Sequence, residues 1–161
     1  MKTEPLDLIG GPLDQVRLIE ASAGTGKTYA ICLLYLRLLI ERAVSVKQIL
    51  VVSFTKAATA ELRERIRARL SGALHRLHHP EETEPDAALR DLLLRYGMEG
   101  RSSANLIAII DAAIADFDES AIYTIHGFCK RVLDDEPFVT GMPLEMELEA
   151  DDALILSLIH I

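Results

Sequence analysis

Ala21-Ser22-Ala23-Gly24-Thr25-Gly26-Lys27-Thr28 decides how the rest of this chain is read. It lies between a short β-compatible run, Val16, Leu18 and Ile19, and an almost wholly apolar stretch from Tyr29 to Ile40 that lacks Gly and Pro, as a buried helix requires. The predicted order is strand, loop, helix. A polyphosphate crowds several negative charges together, so its cradle needs backbone N–H groups turned inward, and Gly24 and Gly26 permit the conformations that aim them. The helix that follows adds the positive end of its dipole. Lys27 is placed to reach the β- and γ-phosphates of ATP, and the Thr28 hydroxyl to ligate the Mg²⁺ that bridges them. All eight residues are therefore candidate phosphate-binding positions. The generic pattern opens with Gly, and this sequence has Ala21 there.

At 161 residues, half of them apolar, the chain suits one domain or one domain with part of another, and it can bury a sizeable core. Its longest apolar run, Ile31 to Leu36, stops at Arg37, far short of the roughly 20 residues of a membrane span. Met1 to Pro12 lacks the apolar region of a signal peptide, so a soluble, cytoplasmic protein without membrane contact is expected. Cys32 and Cys129 read as reduced core thiols. The net charge of −8 argues against nonspecific nucleic-acid binding. Lys56 to Arg76, however, holds six cations (Lys56, Arg63, Arg65, Arg67, Arg69 and Arg76) against Glu61 and Glu64, which suggests either a local polyanion contact or a solvated helix face.

In chain order, an irregular lead-in to Pro12 could border the base of a nucleotide. Gln48 to Phe54 reads as a second buried strand, and a strand–helix–strand order implies a right-handed crossover, hence a parallel sheet with sites at the carboxyl ends of its strands. Thr55 to about His79 is predicted as a long helix with Ala58, Leu62, Ile66, Leu70, Ala73 and Leu77 on its core stripe and Arg65, Arg69 and Arg76 grouped on one flank, with a bend or early end possible at Gly72. His75, His78 and His79 read as solvated residues near its end rather than a metal tract. Pro80 to Pro85 is a polar break. Ala87 to Tyr96 and Ala104 to Phe117 read as helices, the second with a stripe of Leu106, Ile107, Ile110, Ile114 and Phe117. Ala121 to Thr124 reads as a short strand leading into a helix from about His126 to Leu133. Asp134, Asp135 and Glu136 fit a solvated turn before Pro137. The apolar ending, Ile155 to Ile161, suggests a truncated or foreign tail.

Three segments, Ile19 to Thr28, Val51 to Ile66 and Tyr123 to Cys129, together resemble the first motifs of the superfamily 1 DNA helicases of the UvrD/Rep type. In that family Ala commonly replaces the first Gly of the loop, so Ala21 fits. The wording Glu-Ala-Ser-Ala-Gly-Thr-Gly-Lys-Thr and Thr-Ile-His-Gly-Phe-Cys is most similar to the RecB-type members, subunits of exodeoxyribonuclease V, with AddA-type nucleases close behind. The resemblance implies an α/β fold: a P-loop NTPase (RecA-like) parallel sheet with flanking helices, the domain being incomplete. Residues 1–80 would be the first part of the motor domain, 81–120 a small helical insertion, 121–150 the return to the motor, and 151–161 the tail. It implies a single-stranded DNA path lined by Phe54, Thr55, Lys56 and Ala57 in the Ia motif and by Thr124, His126 and Phe128 in the Ic motif. Hydroxyls, an ammonium and backbone groups there meet phosphates, and rings stack on bases. Phe128 is expected to be partly core. The implied partners are DNA ends and RecC- and RecD-like subunits, in double-strand-break repair and recombination.

Nothing in the sequence matches the family's catalytic Asp-Glu motif, its arginine fingers, its second motor domain or the nuclease domain. The chain is therefore expected to hold nucleotide without turning it over. The loop alone also permits a P-loop kinase, but that would need an arginine-rich lid, and Pro-Glu-Glu-Thr-Glu-Pro is the opposite. A standalone module that binds nucleotide or DNA without turnover is the other alternative.

Overall fold

The apolar stretch behind the loop becomes α1, Lys27–Arg42, which buries Leu33, Tyr35, Leu36, Leu39 and Ile40 and ends at Ala43 in the left-handed region (φ 50°). The computed structural model describes residues 6–20 and 26–135, except for the side chain of Met98, so Ala21 to Thr25 and everything from Glu136 onward lie outside the described residues. A 3₁₀ turn, Val46–Gln48, leads into β1, Val51–Ser53, and then α2, Lys56–His78. Next come α3 (Ala87–Met98), α4 (Ser103–Ala115), a 3₁₀ turn at Phe117–Glu119, β2 (Ile122–Thr124) and α5 (Ile125–Asp135).

Local chemistry explains most boundaries. Thr55, Asp86 and Ser102 each accept a hydrogen bond from the amide three residues on (Ala58, Leu89 and Asn105), which starts α2, α3 and α4. The α2 stripe buries Leu62, Ile66, Leu70 and Ala73 as its spacing predicts. The helix runs straight through Gly72, where an added Cβ would meet nothing within 4 Å, so the glycine imposes no break. Leu92, Tyr96, Leu106, Ile110 and Phe117 from α3, α4 and the second 3₁₀ turn join α1 and α2 in one apolar cluster.

Among the described residues the sheet consists of β1 and β2, parallel, with Val51 opposite Ile122 and Ser53 opposite Thr124. Several expectations change here. Val16, Leu18 and Ile19 form no strand: Val16 and Leu18 stand in solvent, and Ile19 is exposed. A β-compatible run becomes a strand only beside a ladder partner, and neither β1 nor β2 supplies one. The second strand is shorter than Gln48 to Phe54, because Gln48 is taken by the 3₁₀ turn, where its Oε1 accepts from the Ser45 amide at 2.9 Å. Cys32 is a buried free thiol as expected, but Cys129 is exposed on α5. Asp134 and Asp135 complete α5, each four residues after a cation, Lys130 (3.8 Å) and Arg131 (3.4 Å).

Arg37, which interrupts the apolar run, is buried and anchors the lead-in. Its guanidinium donates to Glu41 Oε1 at 2.6 Å, to the Leu8 carbonyl at 3.0 Å and to the Gly11 carbonyl at 2.9 Å. Tyr96 adds a second donor to Glu41, and Arg95 reaches the Ile9 carbonyl. The lead-in is thereby fastened to α1 and α3 at three backbone carbonyls. No helix among the described residues is long and apolar enough to cross a membrane.

Candidate nucleotide and strand-contact site

The sequence-predicted residues fall into two groups. At the first, Gly26 takes φ 87° and ψ 20°, a left-handed conformation that strains any L side chain, and its carbonyl accepts from the Ala30 amide at 2.9 Å. Lys27 is exposed and Thr28 half-buried in the first turn that follows. Unlike α2, α3 and α4, α1 has no side-chain cap, and no acidic residue occupies its first turn. The positive end of the α1 dipole lies at this turn. That is what a phosphate group of ATP requires, and the Thr28 hydroxyl beside it suits a hard cation such as Mg²⁺. Ala21 to Thr25 lie outside the described residues.

The second group is assembled by the sheet. Because β1 and β2 run parallel with Ser53 opposite Thr124, the chain leaves both strands at the same edge and enters two helices there. Thr55 caps α2 with its side-chain oxygen (Ala58 amide, 3.1 Å), and Thr124 caps α5 in the same way (Gly127 amide, 3.0 Å). Each hydroxyl acts as an acceptor in its cap, which leaves its own hydrogen available as a donor. The amides of Lys56 and Ala57 have no partner within α2. Phe54 is 77% exposed, and Lys56, Ala57 and His126 are exposed as well. Phe128 is half-buried, lining a groove of about 390 Å³ with Leu50, Tyr123, Arg131 and Val132. Arg131 donates to the Tyr123 hydroxyl at 2.5 Å and lies over its ring, 5.4 Å from the centroid. Gly127 packs closely at this cap: an added Cβ would sit 3.0 Å from Thr124 Oγ1, which would have to shift by a few tenths of an ångström.

The two groups stand apart. Tyr29, next to Thr28, meets Arg69, which is thirteen positions after Lys56 and so roughly 20 Å along the α2 axis from its start.

The arginines grouped on the α2 flank are committed within the molecule. Arg65 pairs with Glu61 at 2.7 Å, Arg69 with Asp86 at 2.5 Å, and Arg76 donates to the His79 carbonyl at 2.8 Å. Arg63 holds the start of β2 through Ser120 Oγ (3.1 Å) and the Ile122 carbonyl (3.2 Å), while Arg67 pairs with Asp118. His75 and His79 face Glu82 and Glu81, and no metal-holding cluster of His, Cys, Asp or Glu occurs among the described residues.

Sequence reasoning passed over Arg37, Tyr29 and Asp86. Asp86 was legible as a helix cap three residues before Leu89, but its partners Tyr29 and Arg69 are 57 and 17 residues away, beyond the reach of any local pattern. Burial pushes the Asp86 carboxyl up, and the hydrogen bonds from Tyr29, Arg69 and the Leu89 amide outweigh it, holding the group below its ordinary value.

The UvrD/REP helicase N-terminal domain family matches residues 4–159. The RecBCD enzyme subunit RecB of Haemophilus influenzae is 41% identical over 163 residues, covering 96% of this chain and 14% of that protein. The subunit of the same name from Escherichia coli is 41% identical over 160 residues, covering 94% and 13%, and that of Mycobacterium tuberculosis H37Rv is 38% identical over 126 residues, covering 76% and 11%. The chain thus spans about one seventh of the length of these relatives or less. With this match across nearly its whole length, the chain belongs to the UvrD/REP helicase N-terminal domain family.

Proposed function

We propose that this chain is the nucleotide-binding first part of a RecB-like DNA helicase motor acting in double-strand-break repair and recombination. The observation that carries the reading is the parallel pairing of β1 with β2, which sets the Thr55 and Thr124 helix caps side by side at one sheet edge. Residues 21–28 take the ATP phosphates and Mg²⁺. Thr55, Lys56, Ala57, Thr124 and His126 meet the sugar-phosphate backbone of a single strand through amides, hydroxyls and charge. Phe54 and Phe128 offer rings to its bases.

In the complete motor, nucleotide-driven closure of a second RecA-like domain against this one would move the strand in steps. RecC- and RecD-like subunits and a nuclease domain would act with it on linear DNA ends in the cytoplasm. The chain itself brings the phosphate loop and the first strand grip, without a residue to position the attacking water or a cation for the transition state. Nucleotide binding without DNA-stimulated turnover is the expected behaviour. The exposed Val16, Leu18 and Ile19 fit the same reading, as a β-compatible run that would pair within a larger sheet.

Titration with a fluorescent ATP analogue and Mg²⁺ tests the loop: Lys27→Ala is expected to abolish binding, and unchanged affinity would remove the assignment. A labelled oligo-dT titration should show weak affinity that falls as salt rises, whereas a kinase would show none.

A further inference from the structure

We infer that Asp86 and Tyr29 form a positioning tether for the first turn of α1, which carries Lys27 and Thr28. The inference rests on the nucleotide reading of Lys27 and Thr28 given above. Gly26 brings no capping side chain to α1. What holds the turn is the third residue of the helix. The Tyr29 hydroxyl donates to Asp86 Oδ1 at 2.7 Å, and the ring is covered by the Arg69 guanidinium, 4.8 Å from its centroid.

The anchor at the far end is well fixed. Asp86 Oδ2 accepts from Arg69 at 2.5 Å, and Oδ1 also accepts from the Leu89 amide at 3.1 Å as the cap of α3. The Arg69 side chain is 14% exposed and that of Asp86 23%, so this pair is shielded in a way the surface pairs are not. One carboxylate therefore caps α3, pairs with the middle of α2 and fixes the rotation of the first turn of α1. Tyr29 neighbours Thr28, so that rotation sets where Lys27 and Thr28 project. The tether restrains the turn that carries Lys27 and Thr28, which is preorganisation of a binding site by a residue that need not touch the ligand.

The test is affinity for methylanthraniloyl-ATP with Mg²⁺, measured on the whole chain beside its thermal midpoint. Tyr29→Phe keeps the ring and its contact with Arg69 and deletes only the hydroxyl; it is expected to weaken binding about two- to tenfold, the size of one ordinary hydrogen bond. Asp86→Asn keeps an oxygen for the α3 cap and loses the charge that fixes it. It should weaken binding too, and the double variant should be no weaker than the product of the single effects and measurably short of it, as for residues acting through one contact. Ile110→Val, a core truncation remote from the turn, should lower the midpoint and leave affinity unchanged.

Affinity in Tyr29→Phe equal to that of the parent, with Lys27→Ala inactive in the same assay, would overturn the tether and leave the nucleotide reading standing. Equal weakening by Ile110→Val would also overturn it, by making the effect one of general stability. Full binding by Lys27→Ala would remove both the reading and the tether that rests on it.

Discussion

Replacing Arg37 by Met is expected to be the most damaging single change to a charged residue in this chain. Arg37 is 1% exposed, and its partner Glu41 has a side chain 21% exposed, with the donor and acceptor 2.6 Å apart. Met fills most of the same volume, so the cost is electrostatic rather than a cavity. Removing one member of a buried pair leaves the other desolvated and uncompensated, at about 3–5 kcal/mol. Here Glu41 keeps the Tyr96 hydroxyl, which favours the lower half of that range, about 3–4 kcal/mol. The Leu8 and Gly11 carbonyls also lose their charged donor and release the lead-in. In urea, with a typical m of about 2 kcal/mol/M, the midpoint should fall by about 1.5–2 M. Arg65→Ala, which breaks a pair with both side chains more than half exposed, should cost under about 1 kcal/mol. Adding Glu41→Gln to Arg37→Met should restore part of the loss, because the unpaired carboxylate is gone. The pH dependence gives an independent check. Burial raises the Glu41 carboxyl, but the hydrogen bonds from Arg37 and Tyr96 and the Arg37 charge outweigh it and hold the group below its ordinary 4.5. A depressed folded value contributes stability above the unfolded value and loses it as pH falls through the folded one, so the parent should weaken below about pH 4.5 and Arg37→Met should show a shallower acid limb. If Arg37→Met cost no more than Arg65→Ala, the role of Arg37 as a buried anchor would be refuted.

Two glycines should respond in opposite directions to Ala. Gly26→Ala forces an L residue to φ 87° and should cost about 1–2 kcal/mol, whereas Gly72→Ala, exposed in the middle of α2 with open space around the new Cβ, should gain about 0.5–1 kcal/mol by thermal melting. The same sign for both would contradict the conformations described. Phe54→Ala should leave stability within about 0.5 kcal/mol, as its exposure implies. Under the proposed reading it should weaken oligo-dT binding by about 5- to 150-fold, the equivalent of one lost base stack of 1–3 kcal/mol. Unchanged DNA affinity would take Phe54 out of the strand path.

The helices were legible because their information is local. The α2 stripe, the caps at Thr55, Asp86 and Ser102, and the polar break after Pro80 each lie within a few residues of what they determine. Strands were read less well, since a strand exists only through its neighbour. Val51 to Ser53 found Ile122 to Thr124, about seventy residues on, while Val16, Leu18 and Ile19, no less β-compatible, found no partner among the described residues and stand in solvent. Charged residues were the least legible. The one-flank grouping of Arg65, Arg69 and Arg76 follows from helix geometry, but their partners Glu61, Asp86 and the His79 carbonyl follow from the fold. Arg37 appeared only as an interruption of an apolar run, because nothing in the sequence says that two carbonyls of the lead-in lie over that point of α1.

The commitment of those arginines bears on how an acidic chain of net charge −8 could hold a polyanion. Had the basic run of α2 been free, a strand would be expected along that flank, with affinity dominated by charge. With Arg63, Arg65, Arg67, Arg69 and Arg76 engaged in internal contacts, Lys56 is the cation of that segment that stands at the sheet edge. The grip proposed here then depends on two helix N-termini, two cap hydroxyls and one ammonium. Contacts of that kind orient a backbone more than they attract it. Few phosphates would be neutralised by side-chain charge, so the salt dependence of DNA binding should be shallow, with a slope of magnitude near 0.7 for each phosphate neutralised on a single strand. A slope requiring five or six neutralised phosphates would mean that the α2 arginines leave their partners on binding, and the edge of β1 and β2 would no longer suffice as the strand-contact site.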